Sequence, residues 1–302
     1  MDIRNNVPLL VMPLMLLLVE AVGIYLALPM QAAGVVAFED PSSVANPFIF
    51  IALLLGFTLV MLVLIKLGGK RVILGLVALS VFLTLYFVFW SLGVTALDLS
   101  SIALPFALVG AAVGTALLFL YPEWYVIDTL GILIAAGVAA IFGVSLAVLP
   151  VILLLVLLAV YDAISVYKTK HMLTLAEGIM ELKTPILFVV PKRRSFSFRH
   201  EGMDLGKEKD ERGAFIMGMG DLIMPSVLVV SAQVFLTDST VLGISVPALG
   251  AMLGSVAGMA VLLYFVLSGR PQAGLPPLNG GTILGFLLGC ALVGAWGWLT
   301  IV

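Results

Sequence analysis

The sequence predicts an all-α polytopic membrane protein with nine transmembrane helices. Composition is the first reason: of 302 residues, 62% are hydrophobic and 11% charged, with a mean hydropathy of +1.24. Soluble domains sit near about 45–50% apolar and about 25% charged, so most of this chain's surface needs a bilayer around it. Segmentation is the second reason, because the apolar residues fall into nine runs. A run of ~20 residues crosses a ~30 Å hydrocarbon core. Charge placement is the third: nine crossings put all 15 Lys and Arg residues on one face.

The first expected span covers residues 7–29 and is interrupted by Glu20. After a loop with Glu39, Asp40 and Pro41 comes a second span over residues 46–65. Lys66, Gly68, Gly69, Lys70 and Arg71 form a tight basic turn before the third, residues 72–95. Asp98 marks the next loop, and the fourth span covers residues 102–121. Pro122, Glu123 and Asp128 lead into the fifth, residues 129–146; Pro150 separates it from a sixth ending near Val166. Residues 214–236, 244–267 and 278–299 supply the last three. The organisation is thus six helices in residues 1–168, a cytoplasmic loop over 169–213 and three helices in 214–302.

Residues 167–213, the loop with the last two residues before it, hold ten of the 15 Lys and Arg residues. The loop's first part, residues 171–183, puts Met172, Ala176, Ile179 and Met180 on one helical face opposite Glu177 and Glu181. Such a pattern suits a helix lying in the membrane interface. Residues 186–190, closed by Pro191, read as a strand, and residues 192–212 as a polar, mobile segment. The Lys192-Arg193-Arg194 cluster reads as a lipid-headgroup contact and topogenic signal rather than a nucleic-acid site.

Arg4, Lys66, Lys70, Arg71, Arg270 and the loop's basic residues share one side, while Glu39, Asp40, Asp98 and Asp238 fall on the other. The positive-inside rule then puts the N-terminus in the cytoplasm and the C-terminus outside, most simply in the cell membrane. The single Cys290 excludes an intrachain disulfide, and His171 and His200 share one polar loop, so neither a metal nor a cofactor is expected. No cleavable signal peptide is evident. Trp90, Trp124, Trp296 and Trp298 suit interfacial anchoring.

Three acids lie inside apolar runs: Glu20, Asp162 and Asp221. A carboxylate there costs roughly 2.5–3.5 kcal/mol even on lenient scales, which marks it for function. Asp162 lies six residues before Lys168 and Asp221 eight after Gly213. At 1.5 Å per residue, both sit roughly 10 Å inside the same face. Two carboxylates a few Å apart cannot both ionise cheaply, so the pair holds a shared proton. That supplies a general acid and a general base for hydrolysing a peptide bond with an activated water. Proton relay in a secondary transporter is the competing reading, and a structural pair the third. Gly218 and Gly220 beside Asp221 permit close approach by a helix or by an extended substrate; Gly110/Gly114 and Gly250/Gly254/Gly258 read as tight helix packing. Glu20 is expected to face the bundle interior with a polar partner or to lie near a wet surface.

Tyr161-Asp162 in one span and Gly218-Met219-Gly220-Asp221 in the next resemble the YD and GxGD motifs of the presenilin and signal peptide peptidase family. That resemblance implies a nine-span, presenilin-like intramembrane aspartyl protease with Asp162 and Asp221 catalytic. The family's Pro-Ala-Leu motif opens the ninth span. Leu275-Pro276-Pro277-Leu278 takes that place here, with Pro277 for the central Ala, while the literal Pro247-Ala248-Leu249 opens the eighth span and is read as coincidental. Tyr161, Gly218, Met219, Gly220, Pro276, Pro277 and Leu278 are then the supporting and substrate-binding residues. The resemblance also implies a substrate that unwinds and pairs as a strand near the active site, a role for residues 186–190; a plain loop connector is the alternative. Substrates would be single-span proteins with their N-terminus outside. A loop shorter than that of animal presenilins suggests a compact microbial homologue, able to act without obligatory partner subunits and open to homo-oligomerisation.

Overall fold

A computed structural model describes residues 7–97, 101–169, 187–192, 196–198, 213–267 and 273–299. Among them are nine α-helices: α1 (Val7–Ala32), α2 (Asn46–Lys66), α3 (Lys70–Ser91), α4 (Ala103–Leu120), α5 (Trp124–Ser145), α6 (Val148–Ile164), α7 (Met219–Phe235), α8 (Val246–Leu267) and α9 (Leu275–Val293). Eight of the described helices are long and apolar enough to cross a bilayer, whereas α7 has 17 residues. At 1.5 Å per residue α7 spans about 25 Å, short of the hydrocarbon core.

The missing length is strand. Ala214–Gly218, expected to be the start of the seventh span, forms β2 and pairs antiparallel with β1 (Leu187–Pro191). Phe215 and Ile216 favour the extended form, and the β1 backbone satisfies groups that a helix would have paired internally. The strand expected over 186–190 is therefore real from Leu187 onward; Ile186 and the interfacial helix expected over 171–183 lie outside the described residues.

Connections gather at two ends, as alternating crossings require. At one end the Ala37 N–H donates to Ser145 Oγ (2.7 Å) and the Ala147 N–H to Pro41 O (2.9 Å). There also Ser231 Oγ donates to Leu146 O at 2.8 Å, and the Ser245 N–H to Gln233 Oε1 at 2.8 Å. These bonds explain the α5–α6 break within an almost unbroken apolar stretch: Leu146 and Ala147 are extended, and Ser231 of α7 and the loop at Pro41 take up their backbone groups. A two-residue hairpin, β3 (Thr240–Val241) to β4 (Ile244–Ser245), completes this end, turning through Leu242 and Gly243 at positive φ.

At the other end lie the α4–α5, α6–α7 and α8–α9 connections. Two sequence expectations change here. Helix α5 begins at Trp124 rather than residue 129, so Asp128 stands inside the helix, not before it. Phe196 and Phe198, expected in a polar mobile segment, are buried in a cluster with Ile127 and Val189. Ser197 Oγ donates to Glu123 Oε1 at 2.7 Å. Spaced aromatic residues anchor a chain that charge counting alone reads as solvated.

Helix α7 sits at the centre, packed against α1, α5, α6, α8 and α9, with Leu222 and Val227 to Val230 buried. Helix α2 is the outlier: 6% of its spanning window is buried, against 50% for α5. Helices α8 and α9 meet along glycines, where a Cβ on Gly250, Gly254 or Gly258 would strike backbone of Gly285, Gly281 or Pro277. Close backbone approach replaces the hydrophobic drive that lipid does not supply. Gly110 and Gly114 likewise admit Phe89 and Leu85 of α3.

Candidate active site

Asp162 lies in the last turn of α6, 5% exposed. Its Oδ2 accepts the Leu275 N–H at 3.0 Å, and the Gly274 N–H also bonds to the carboxylate. Those donors come from the start of α9, where Gly274 is the N-cap and Leu275 the first helical residue. A helix leaves its first N–H groups without internal partners, and its N-terminus favours an anion. Pro276 and Pro277 have no N–H, so the two donors that remain both reach Asp162. This also explains why Pro277 fits where the family motif has Ala: that position has no donor duty.

Asp221 is the third residue of α7, immediately after the strand-to-helix change at Gly218 (φ −67°, ψ 138°). An acid in the first helical turn is favoured by the aligned peptide dipoles. Pro225, four residues on, has no N–H to return to the Asp221 carbonyl, which loosens that turn. The Asp221 side chain is half-buried and lies against Gly274, where a Cβ would stand 2.8 Å from Oδ1 and 3.1 Å from Oδ2. The Gly274–Leu275 backbone thus touches both aspartates, one on each flank, and brings them together.

The other expected residues fall around this pair. Tyr161 is half-buried beside Asp162 in α6, and Met219 is buried against α5. A Cβ on Gly218 would meet Asp221 Oδ2 at an ordinary 3.6 Å, and one on Gly220 would meet nothing within 4 Å. Their lack of side chains therefore leaves space beside Asp221 rather than admitting a neighbouring helix. Pro277 and Leu278 back onto Gly258, and Leu278 is fully buried. Pro247-Ala248-Leu249 lies at the opposite end of the bundle, where Pro247 approaches Gly289. Fourteen residues of α9 separate Gly289 from Leu275, about 21 Å of helix.

Two residues at this end escaped sequence reasoning. Gly274 precedes a recognised motif by one residue, and only the approach of Asp221 reveals it. Asp128, read as a loop acid, accepts the Val189 N–H at 2.8 Å; its signal was an acid one helical turn before Gly131. Glu20 faces the interior, 0% exposed, but without the polar partner expected for it: neither carboxylate oxygen has a hydrogen-bond partner among the described residues. Ser255 is its polar neighbour, but the Ser255 hydroxyl proton goes to Met252 O at 2.7 Å. Among the described residues no cluster of His, Cys, Asp and Glu is arranged to hold a metal.

A family model described as signal-peptide peptidase, presenilin aspartyl protease matches residues 13–295. Among solved structures, a presenilin-family intramembrane aspartate protease in space group C222 is 53% identical, with a TM-score of 0.72 over 95% of this chain and 100% of that one. A second structure of such a protease, in space group P2, is 54% identical, with a TM-score of 0.70 over 95% of this chain and 98% of that one. No curated protein sequence matches. Nothing in these likenesses supports a proton-coupled transporter. Nine apolar helices among the described residues, two acids meeting at one end and a match running through nearly the whole chain agree: this multi-pass membrane protein belongs to the signal-peptide peptidase and presenilin aspartyl protease family, and is an intramembrane aspartyl protease.

Proposed function

We propose that Asp162 and Asp221 are the catalytic pair and hydrolyse peptide bonds inside the transmembrane segments of single-span proteins. The observation that carries this is their shared contact with the Gly274–Leu275 backbone. One carboxylate takes a proton from water, whose oxygen attacks the scissile carbonyl carbon. The other, protonated, donates to the carbonyl oxygen, giving a gem-diol with no covalent enzyme intermediate. Collapse of the gem-diol breaks the C–N bond as the leaving nitrogen takes up a proton from the pair. The two acids act as one unit, and the shared proton belongs to both.

A helical peptide bond is shielded by its own hydrogen bonding, so the substrate must unwind, and its freed backbone groups need partners. Strand β2 leads directly into Gly218 and Asp221 and supports pairing with an unwound substrate there. An apolar groove of about 280 Å³, lined by Phe57, Met61, Ile73, Val77, Ile134 and Met219 among others, runs from the loosely packed α2 toward this strand end. A substrate helix fits it in chemistry. The one-sided basic charge supports a cytoplasmic N-terminus, an extracytoplasmic C-terminus and a site near the cytoplasmic face of the cell membrane. No partner subunit is needed to complete the pair.

The test is cleavage of a generic single-span substrate by purified protein in detergent. Asp162→Asn and Asp221→Asn should each abolish cutting within the apolar segment, by about 10²–10⁴-fold or more, with the protein still folded. A hydroxyl-bearing mimic of the gem-diol should block the wild type. Cutting by both variants at the wild-type rate would remove the pair from the mechanism.

A further inference from the structure

The two edges of the β1–β2 ribbon differ. In an antiparallel pair, successive residues alternate between facing the partner strand and facing away. The Lys192 N–H donates to Gly213 O at 2.9 Å, which turns Lys192, Val190 and Phe188 toward β2. Leu187, Val189 and Pro191 consequently turn their backbone outward, and their partners Gly218, Ile216 and Ala214 do the same on the far edge of β2.

On the outer edge of β1 the Val189 N–H is already taken by Asp128 Oδ1 at 2.8 Å, and Pro191 has no N–H to offer. Occupied or missing donors are how proteins close an edge strand against further pairing. The bond also ties the ribbon to α5, where Gly131, on the same face one turn later, admits Phe188 and Met219: a Cβ there would stand 3.0 Å from each. On the β2 edge, Ala214, Ile216 and Gly218 all keep their N–H groups, and no described strand pairs with them. The open edge is the one that ends at Gly218, three residues before Asp221.

We propose that Asp128 is a positioning residue for the protease: with Pro191 it closes the Val189–Pro191 stretch of the β1 edge, fixes the ribbon's height along α5, and so directs an unwound substrate onto β2 in one register relative to Asp221. This rests on the catalytic pair and strand pairing proposed above, and its own contribution is the part Asp128 plays in holding the ribbon and its register. Without that hydrogen bond the ribbon is held on α5 by packing such as that at Gly131, and any shift of the ribbon moves the scissile bond relative to the pair.

The experiment compares wild type, Asp128→Asn and Asp128→Ala, reading both the rate of substrate cleavage and the product termini by mass spectrometry. Asn keeps a carbonyl oxygen for the Val189 N–H; Ala does not. Asp128→Ala should cut at least ten-fold more slowly and spread its products over several neighbouring bonds, while Asp128→Asn keeps the wild-type termini. Amide exchange at residues 187–192, which needs no turnover, should speed up at least ten-fold in Asp128→Ala and stay protected in Asp128→Asn. If Asp128→Ala does not fold, Pro191→Ala carries the test, because it adds one donor to the closed edge and should itself broaden the product set. Unchanged termini in a folded Asp128→Ala, or in Pro191→Ala where that variant stands in, would overturn the proposal, as would Asp128→Asn behaving like Ala. Failure of the catalytic pair reads out separately, as undiminished cutting by the Asp162→Asn and Asp221→Asn variants.

Discussion

Gly274 carries more of the site than its lack of a side chain suggests. Its N–H binds Asp162, and its α-carbon faces Asp221 so closely that a methyl group would displace the carboxylate. Gly274→Ala should therefore cut at least ten-fold more slowly, since moving a catalytic group by about 1 Å can cost 10²-fold. Its thermal midpoint should stay near wild type, because the displaced group is half-buried and close to the membrane surface; a large drop in that midpoint would reassign Gly274 to folding. Glu20 is the opposite case, an acid with a cost and no visible bond. Exchanging an unpaired buried polar group for an apolar one of similar length tends to stabilise, so Glu20→Met should gain about 1–3 kcal/mol in detergent unfolding. A loss instead would mean that Glu20 holds a partner through water.

Among the elements, α8 and α9 act as one body, because glycines on both faces leave the two backbones in contact from Gly250–Gly285 to Gly258–Pro277. The start of α9 is thereby held where its two donors meet Asp162. Gly285→Val should force the pair apart near its middle, costing about 1–3 kcal/mol as overpacking, and should lower cleavage through α9 rather than through the aspartates. Melting and cleavage measured together check this: a stable, fully active Gly285→Val would show that α8 does not position α9. The strand β2 illustrates a limit of reading elements from hydropathy. Phe215-Ile-Met-Gly218 is as apolar as the helix that follows, and apolarity alone does not distinguish a helix from a strand whose partner lies across a long charged loop.

Across the whole molecule, the charge asymmetry makes a topological prediction. In a Cys290→Ser background, a cysteine introduced at Ser239 should react with a membrane-impermeant thiol reagent added outside intact cells. One introduced at Ser197 should react only after the membrane is opened. The reverse pattern would invert the orientation and place the proposed catalytic pair near the outer face. Membrane residence, the number of crossings and the two acids proposed as the catalytic pair were legible along the chain because each is a one-dimensional quantity: run length, the sign of charge between runs, and the cost of a charge in lipid. The motifs at Tyr161-Asp162 and Gly218 to Asp221 were legible for the same reason. The roles of Gly274, Asp128 and Pro277 were not. Each depends on which backbone groups of one segment are left over for another, and that remainder exists only once α6, α7, α9 and the β1–β2 ribbon have packed together.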